Sequence, residues 1–176
     1  MRRIILIAML VGCGSDDDTS SGPISEAAAE APCTQLCERD VECEGDVLED
    51  CVGDCVVDLA GWARTDAVTT IYSCISQLEC DADEEAECGP TVAPLDVHRA
   101  YEDRCRVTLG TCLESSELDS LCEVDYIEDA DGDAGVMRFL APIVVEAMTA
   151  CLVDDASCDD QLACIDDVFE QYGVSF

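Results

Sequence analysis

Fifteen cysteines, one histidine and 41 carboxylates hold the side-chain chemistry of this chain. Four of the sulfurs fall in i, i+4 pairs, Cys33 with Cys37 and Cys51 with Cys55. On a helix this spacing puts both sulfurs of a pair on one face. Two such helices laid antiparallel can close two disulfides or hold one Zn²⁺ through four thiolates. C-x-x-C is absent from the sequence, which argues against a thioredoxin-like redox pair. C-x-x-C-H, the haem attachment, is absent too.

His98 stands beside Arg99 and near Asp96 and Glu102, so it reads as a surface residue of a charged helix. A general base needs a nucleophile in reach, and neither G-x-S-x-G nor H-E-x-x-H occurs. Paired carboxylates such as Asp154-Asp155 and Asp166-Asp167 follow from an acidic composition and carry no signal of acid–base catalysis. Catalytic residues are therefore expected to be none. The stretch Asp129-Ala-Asp131-Gly-Asp133-Ala-Gly135-Val136 resembles the first half of an EF-hand calcium loop. Asp129, Asp131 and Asp133 stand at its positions 1, 3 and 5, and Val136 at position 8. Ala134 replaces the turn glycine and Leu140 the bidentate glutamate, so the resemblance implies weak Ca²⁺ binding or none. No other cofactor is expected.

The redox state of the sulfur follows from the N-terminus. Arg2-Arg3 precedes the apolar run Ile4 to Val11, too short to span a bilayer and suited to an export signal. The run ends in Leu10-Val11-Gly12-Cys13, which resembles the lipobox of bacterial lipoproteins. The resemblance implies cleavage before Cys13, a palmitate-type acyl lipid on Cys13, and a membrane-anchored, cysteine-rich envelope protein. The residue after Cys13 is Gly14 rather than Asp, which by enteric sorting favours the outer membrane; its periplasmic or surface side is left open. Export places the other fourteen cysteines in an oxidising compartment, where an even number implies seven disulfides and disfavours zinc. Once Arg2 and Arg3 are removed, six arginines face 41 acids and the chain carries −35 charges. Nucleic acid is excluded as a partner on that ground. Gly14 to Ala31 is small, polar and acidic and reads as a flexible tether.

Beyond the tether the chain reads as two divergent copies of one unit. Trp62 to Cys74 lies over Phe139 to Cys151 without a gap. Aromatic meets aromatic, Val68 meets Val145, Ile71 meets Met148, and Cys meets Cys. Thr65 is read as an N-cap and Pro142 as the first helical residue of its copy. Cys37, Cys43, Cys51, Cys80 and Cys88 correspond to Cys105, Cys112, Cys122, Cys158 and Cys164. Cys33 and Cys55 have no such counterpart, and Tyr101 and Tyr126 occupy both matching places. Joint replacement by one residue type marks Cys33 and Cys55 as partners, which leaves Cys37–Cys51 and its analogue Cys105–Cys122. Tyr101 should then stack on Tyr126. For the others, Cys43–Cys80, Cys74–Cys88, Cys112–Cys158 and Cys151–Cys164 are preferred over a scheme with Cys43–Cys74 and Cys80–Cys88. Spacing alone leaves both open.

Caps and stops place helices near 33–41, 47–60, 66–79, 96–109, 116–126, 142–153 and 160–172, with Asp46 as a cap and Gly61, Gly110 and Gly173 as stops. No stretch alternates as a strand does. The expected class is all-α: small disulfide-stapled helical hairpins in two copies. The divisions are a signal at 1–12, lipidated Cys13 and tether over 13–31, copy one over 32–92 and copy two over 93–176. The function expected is a non-catalytic envelope lipoprotein, structural or binding a protein or glycan. A weak calcium module and an accessory or inhibitor of an envelope hydrolase are the alternatives.

Overall fold

The computed structural model describes residues 21–43, 45, 47–124 and 136–174. Its α-helices are α1 (Glu26–Cys43), α2 (Leu48–Leu59), α3 (Thr65–Ile75), α4 (Glu84–Cys88), α5 (Asp96–Leu109), α6 (Ser115–Cys122), α7 (Pro142–Cys151) and α8 (Cys158–Tyr172). Short 3₁₀ turns cover Gly89–Thr91 and Val136–Phe139. Among the described residues the only β pairing is two isolated bridges, Pro23 with Arg64 and Ala63 with Leu140. The class is all-α.

Helix boundaries differ from expectation where tertiary contacts override local signals. The tether was expected to reach Ala31, but α1 starts at Glu26 and runs through Pro32. Ala29 is fully buried and Pro32 is buried, so the alanine-rich turn is held by packing. Thr65 is not an N-cap. Arg64 holds that position, and the Thr65 hydroxyl donates to Gly22 O at 3.1 Å. Asp46 lies outside the described residues. Gly61 and Gly173 have φ of 93° and 72°, left-handed turns that suit glycine. Gly173 N donates to Glu170 O, and Val174 N to Phe169 O, which closes the end of α8.

Packing runs α1 on α2 and α3, then α5 on α6 and α7, with α8 laid on α7. Two apolar clusters result. The larger centres on Tyr101, Leu109, Leu140, Val145, Met148 and Ile165. The smaller comprises Ile24, Ala29, Cys33, Ala63 and Val68. Trp62 packs against both. No residue of α2 is fully buried; its partly buried Val52, Val56 and Leu59 pack against the smaller cluster, and two disulfides join the helix to α1.

Candidate functional site

The fourteen cysteines from Cys33 to Cys164 form seven disulfides. They are Cys33–Cys55, Cys37–Cys51, Cys43–Cys80, Cys74–Cys88, Cys105–Cys122, Cys112–Cys158 and Cys151–Cys164. These are the same pairs as in the preferred sequence scheme. Cα separations run from 5.3 Å (Cys43–Cys80) to 6.3 Å (Cys112–Cys158), inside the range such bonds require. Tyr101, at the place where copy one has Cys33, is fully buried and donates its hydroxyl to Leu121 O at 3.2 Å. Its expected stacking partner Tyr126 lies outside the described residues, as do Cys13, Asp129, Asp131 and Asp133.

His98 is not on the surface. It is fully buried at the start of α5, with both ring nitrogens engaged. Leu95 N donates to Nδ1 at 3.0 Å, so Nε2 carries the proton and donates to Leu140 O at 2.9 Å. Its pKa falls from 6.5 to about 4, chiefly through burial; the bond to Leu140 opposes the shift and the Arg64 charge adds to it. The ring is a neutral connector between α5 and the segment before α7, which leaves no free nitrogen to act as a base. The flanking charges misled the sequence reading because Asp96 and Arg99 are exposed while the ring between them turns inward.

Two further side chains escaped the sequence reading. The guanidinium of Arg64, 2% exposed, donates to Ala93 O at 3.0 Å and Arg138 O at 2.8 Å. Asp66 balances its charge. Arg138, 4% exposed, donates to Val92 O at 3.0 Å. Two arginines far apart in the chain thus grip the segment between α4 and α5. The only advance signal was scarcity, since eight arginines among 41 acids leave few cations to bury.

Trp62 and Phe139, the aromatics aligned in the sequence, lie on adjoining segments. Arg64 N donates to Phe139 O at 2.8 Å, and Ala141 N donates to Trp62 O at 2.7 Å, flanking the Ala63–Leu140 bridge. Beside this seam lies an apolar groove of about 190 Å³, lined by Leu59, Trp62, Val68, Ile71, Tyr72 and Phe139. Burial, with Asp40 and Asp58 nearby, pushes the Tyr72 phenol up to about 12, so it stays protonated.

The chain matches no family model, no curated protein and no solved structure.

Its chemistry is therefore read from the residues alone. Ligand atoms of Cys37, Asp40 and Cys51 lie within 4.8 Å of one another, but the two sulfurs are bonded together and offer no thiolate. A polar cleft of about 390 Å³ is bordered by Glu38, Arg39, Glu42 and Glu79. Arg39, 8% exposed, pairs with Glu84 and donates to Leu78 O at 3.3 Å and Glu79 O at 3.1 Å. It caps the turn after α3 and holds that wall of the cleft.

Proposed function

We propose that this chain is an exported lipoprotein, anchored to the bacterial envelope through an acyl group on Cys13. Its disulfide-stapled domain serves a non-catalytic role, presenting a rigid surface to an envelope protein or glycan. The observation that carries the reading is the cysteine parity. Fourteen cysteines close on one another within the domain, and the fifteenth, outside the described residues, is the one that ends the lipobox-like Leu10-Val11-Gly12-Cys13. Seven disulfides fit an oxidising compartment. No helix among the described residues is long and apolar enough to cross a membrane, so membrane attachment would rest on the lipid. The engaged nitrogens of His98 and the bonded sulfurs support the non-catalytic part of the proposal.

Mass spectrometry of the non-reduced protein, purified from a Gram-negative host, tests it. The expected product starts at Cys13, carries lipid there and has no thiol that reacts with alkylating reagent. Cys13→Ala should remain uncut and lose its lipid. A wild-type product that keeps Met1, or that alkylates without reduction, refutes the proposal. Pull-down from solubilised envelope then identifies the partner class, with recovery of a hydrolase favouring an accessory or inhibitory role.

A further inference from the structure

We infer that the folded domain is a tethered pseudo-dimer: two disulfide-closed units joined about a local two-fold axis that passes between Ala63 and Leu140. The register carries this. Trp62 to Cys74 matches Phe139 to Cys151 without a gap, which makes Leu140 the counterpart of Ala63. The bridge across the seam joins these same two residues, each position meeting its own counterpart. Its hydrogen bonds, Arg64 N to Phe139 O at 2.8 Å and Ala141 N to Trp62 O at 2.7 Å, become one another when the copies are exchanged. This is the mark of an isologous contact, in which i meets j and j meets i. Slippage of the pairing by one residue would destroy the relation.

A second relation is independent of the bridge. The carbonyl of each axis residue accepts a hydrogen bond from the start of the first helix of its own unit. Ile24 N, two residues before α1, donates to Ala63 O at 2.8 Å. His98 Nε2, in the first turn of α5, donates to Leu140 O at 2.9 Å. A buried imidazole in copy two thus takes the part played by a backbone amide in copy one.

The disulfides respect the same division. Four lie between Cys33 and Cys88 and three between Cys105 and Cys164; none crosses. The only covalent link between the units is the backbone from Gly89 to Leu95, clamped by Arg64 and Arg138 at Ala93 O and Val92 O. The seam is a self-complementary surface, and the partner that fits it is a second unit of the same kind.

Cleavage of the full oxidised chain tests the inference. A protease recognition sequence is inserted between Pro94 and Leu95, and the chain is cut after folding. In native buffer the cut protein should run on size exclusion as one particle of unchanged mass. In urea without reductant it should part into two fragments, which reassemble one to one when the urea is diluted. Fragments that stay covalently joined in urea, or that drift apart in native buffer, overturn it. Ala63→Cys with Leu140→Cys locates the axis. Facing residues of a non-hydrogen-bonded antiparallel pair are close enough to bridge, so the cut double variant should remain one species in urea until reduced, and either single variant should not. Two free thiols in a folded double variant refute the axis; if that variant does not fold, the reassembly experiment alone decides.

Discussion

Below pH 6.5 an unfolded chain protonates His98, whereas the buried ring in the folded domain resists until about pH 4. The unfolded state then binds more protons, so the His98 contribution to stability falls as pH drops through that window, by about 3 kcal/mol in all. His98→Gln lacks this loss. Its deficit relative to wild type, measured by urea unfolding, should be about 1–3 kcal/mol at pH 7.5 from the disrupted Leu95 and Leu140 bonds. It should narrow at pH 4.5. Parallel pH profiles would show that His98 does not titrate as described. Tyr101 offers a second test at this scale. Tyr101→Phe removes only the bond to Leu121 O and should cost about 1 kcal/mol, whereas Tyr101→Ala empties a fully buried site and should cost about 3–5 kcal/mol. Equal costs would mean that the hydroxyl, not the ring, holds the site. His98 was misread from sequence because its neighbours in the chain are charged while its neighbours in space are backbone groups of distant segments.

Helix α2 buries no residue fully; two disulfides and the partly buried Val52, Val56 and Leu59 on the smaller core hold it to the rest of the fold. Removing either pair, Cys33→Ser with Cys55→Ser or Cys37→Ser with Cys51→Ser, should cost about 2–4 kcal/mol. Removing both should release α2, read as loss of hydrogen-exchange protection over residues 48–59 while α5 to α8 keep theirs. Helix α6 differs in what it packs on: it carries one disulfide, and its Leu118 and Leu121 lie on the larger core, whereas Val52, Val56 and Leu59 of α2 lie on the smaller one. Cys105→Ser with Cys122→Ser should lower stability and leave α6 docked. Protection lost from both helices alike would contradict the distinction. The pairing of α1 with α2 was legible because two i, i+4 cysteine pairs can join antiparallel helices only outer to outer and inner to inner. The start of α1 at Glu26 was not, because Ala29 anchors that turn in a cluster with Ala63 and Val68, residues more than thirty positions away.

At the scale of the molecule the dominant quantity is a formal net charge of −33. Few cations offset it, and several of these are spent on backbone carbonyls inside the fold. Self-repulsion of this kind destabilises a compact state and is screened by salt. The melting temperature of the oxidised domain should therefore rise between about 10 mM and about 150 mM salt, as the screening length shortens from about 30 Å to about 8 Å. A melting temperature independent of salt would mean that the surface carboxylates are already neutralised. The same rise with NaCl and with matched ionic strength of CaCl₂ would argue against a specific calcium site at Asp129, Asp131 and Asp133; a surplus with calcium would support one.

Hydrophobic periodicity, helix stops and cysteine spacing are local patterns, and from them alone come the helical class, the matched copies as an expectation, and the preferred seven pairs. The partners of Cys33 and Cys37 were readable because two i, i+4 pairs on antiparallel helices fix both face and register, whereas for Cys43, Cys74, Cys80 and Cys88 spacing left two schemes open. Which side chains turn inward around the seam was decided only by the folded chain. The Ala63–Leu140 bridge joins positions far apart in sequence, and the burial of Arg64, His98 and Arg138 follows from backbone carbonyls that distant segments bring to them. A buried polar group needs its partner in place, and no pattern within one segment records a partner that arrives from another.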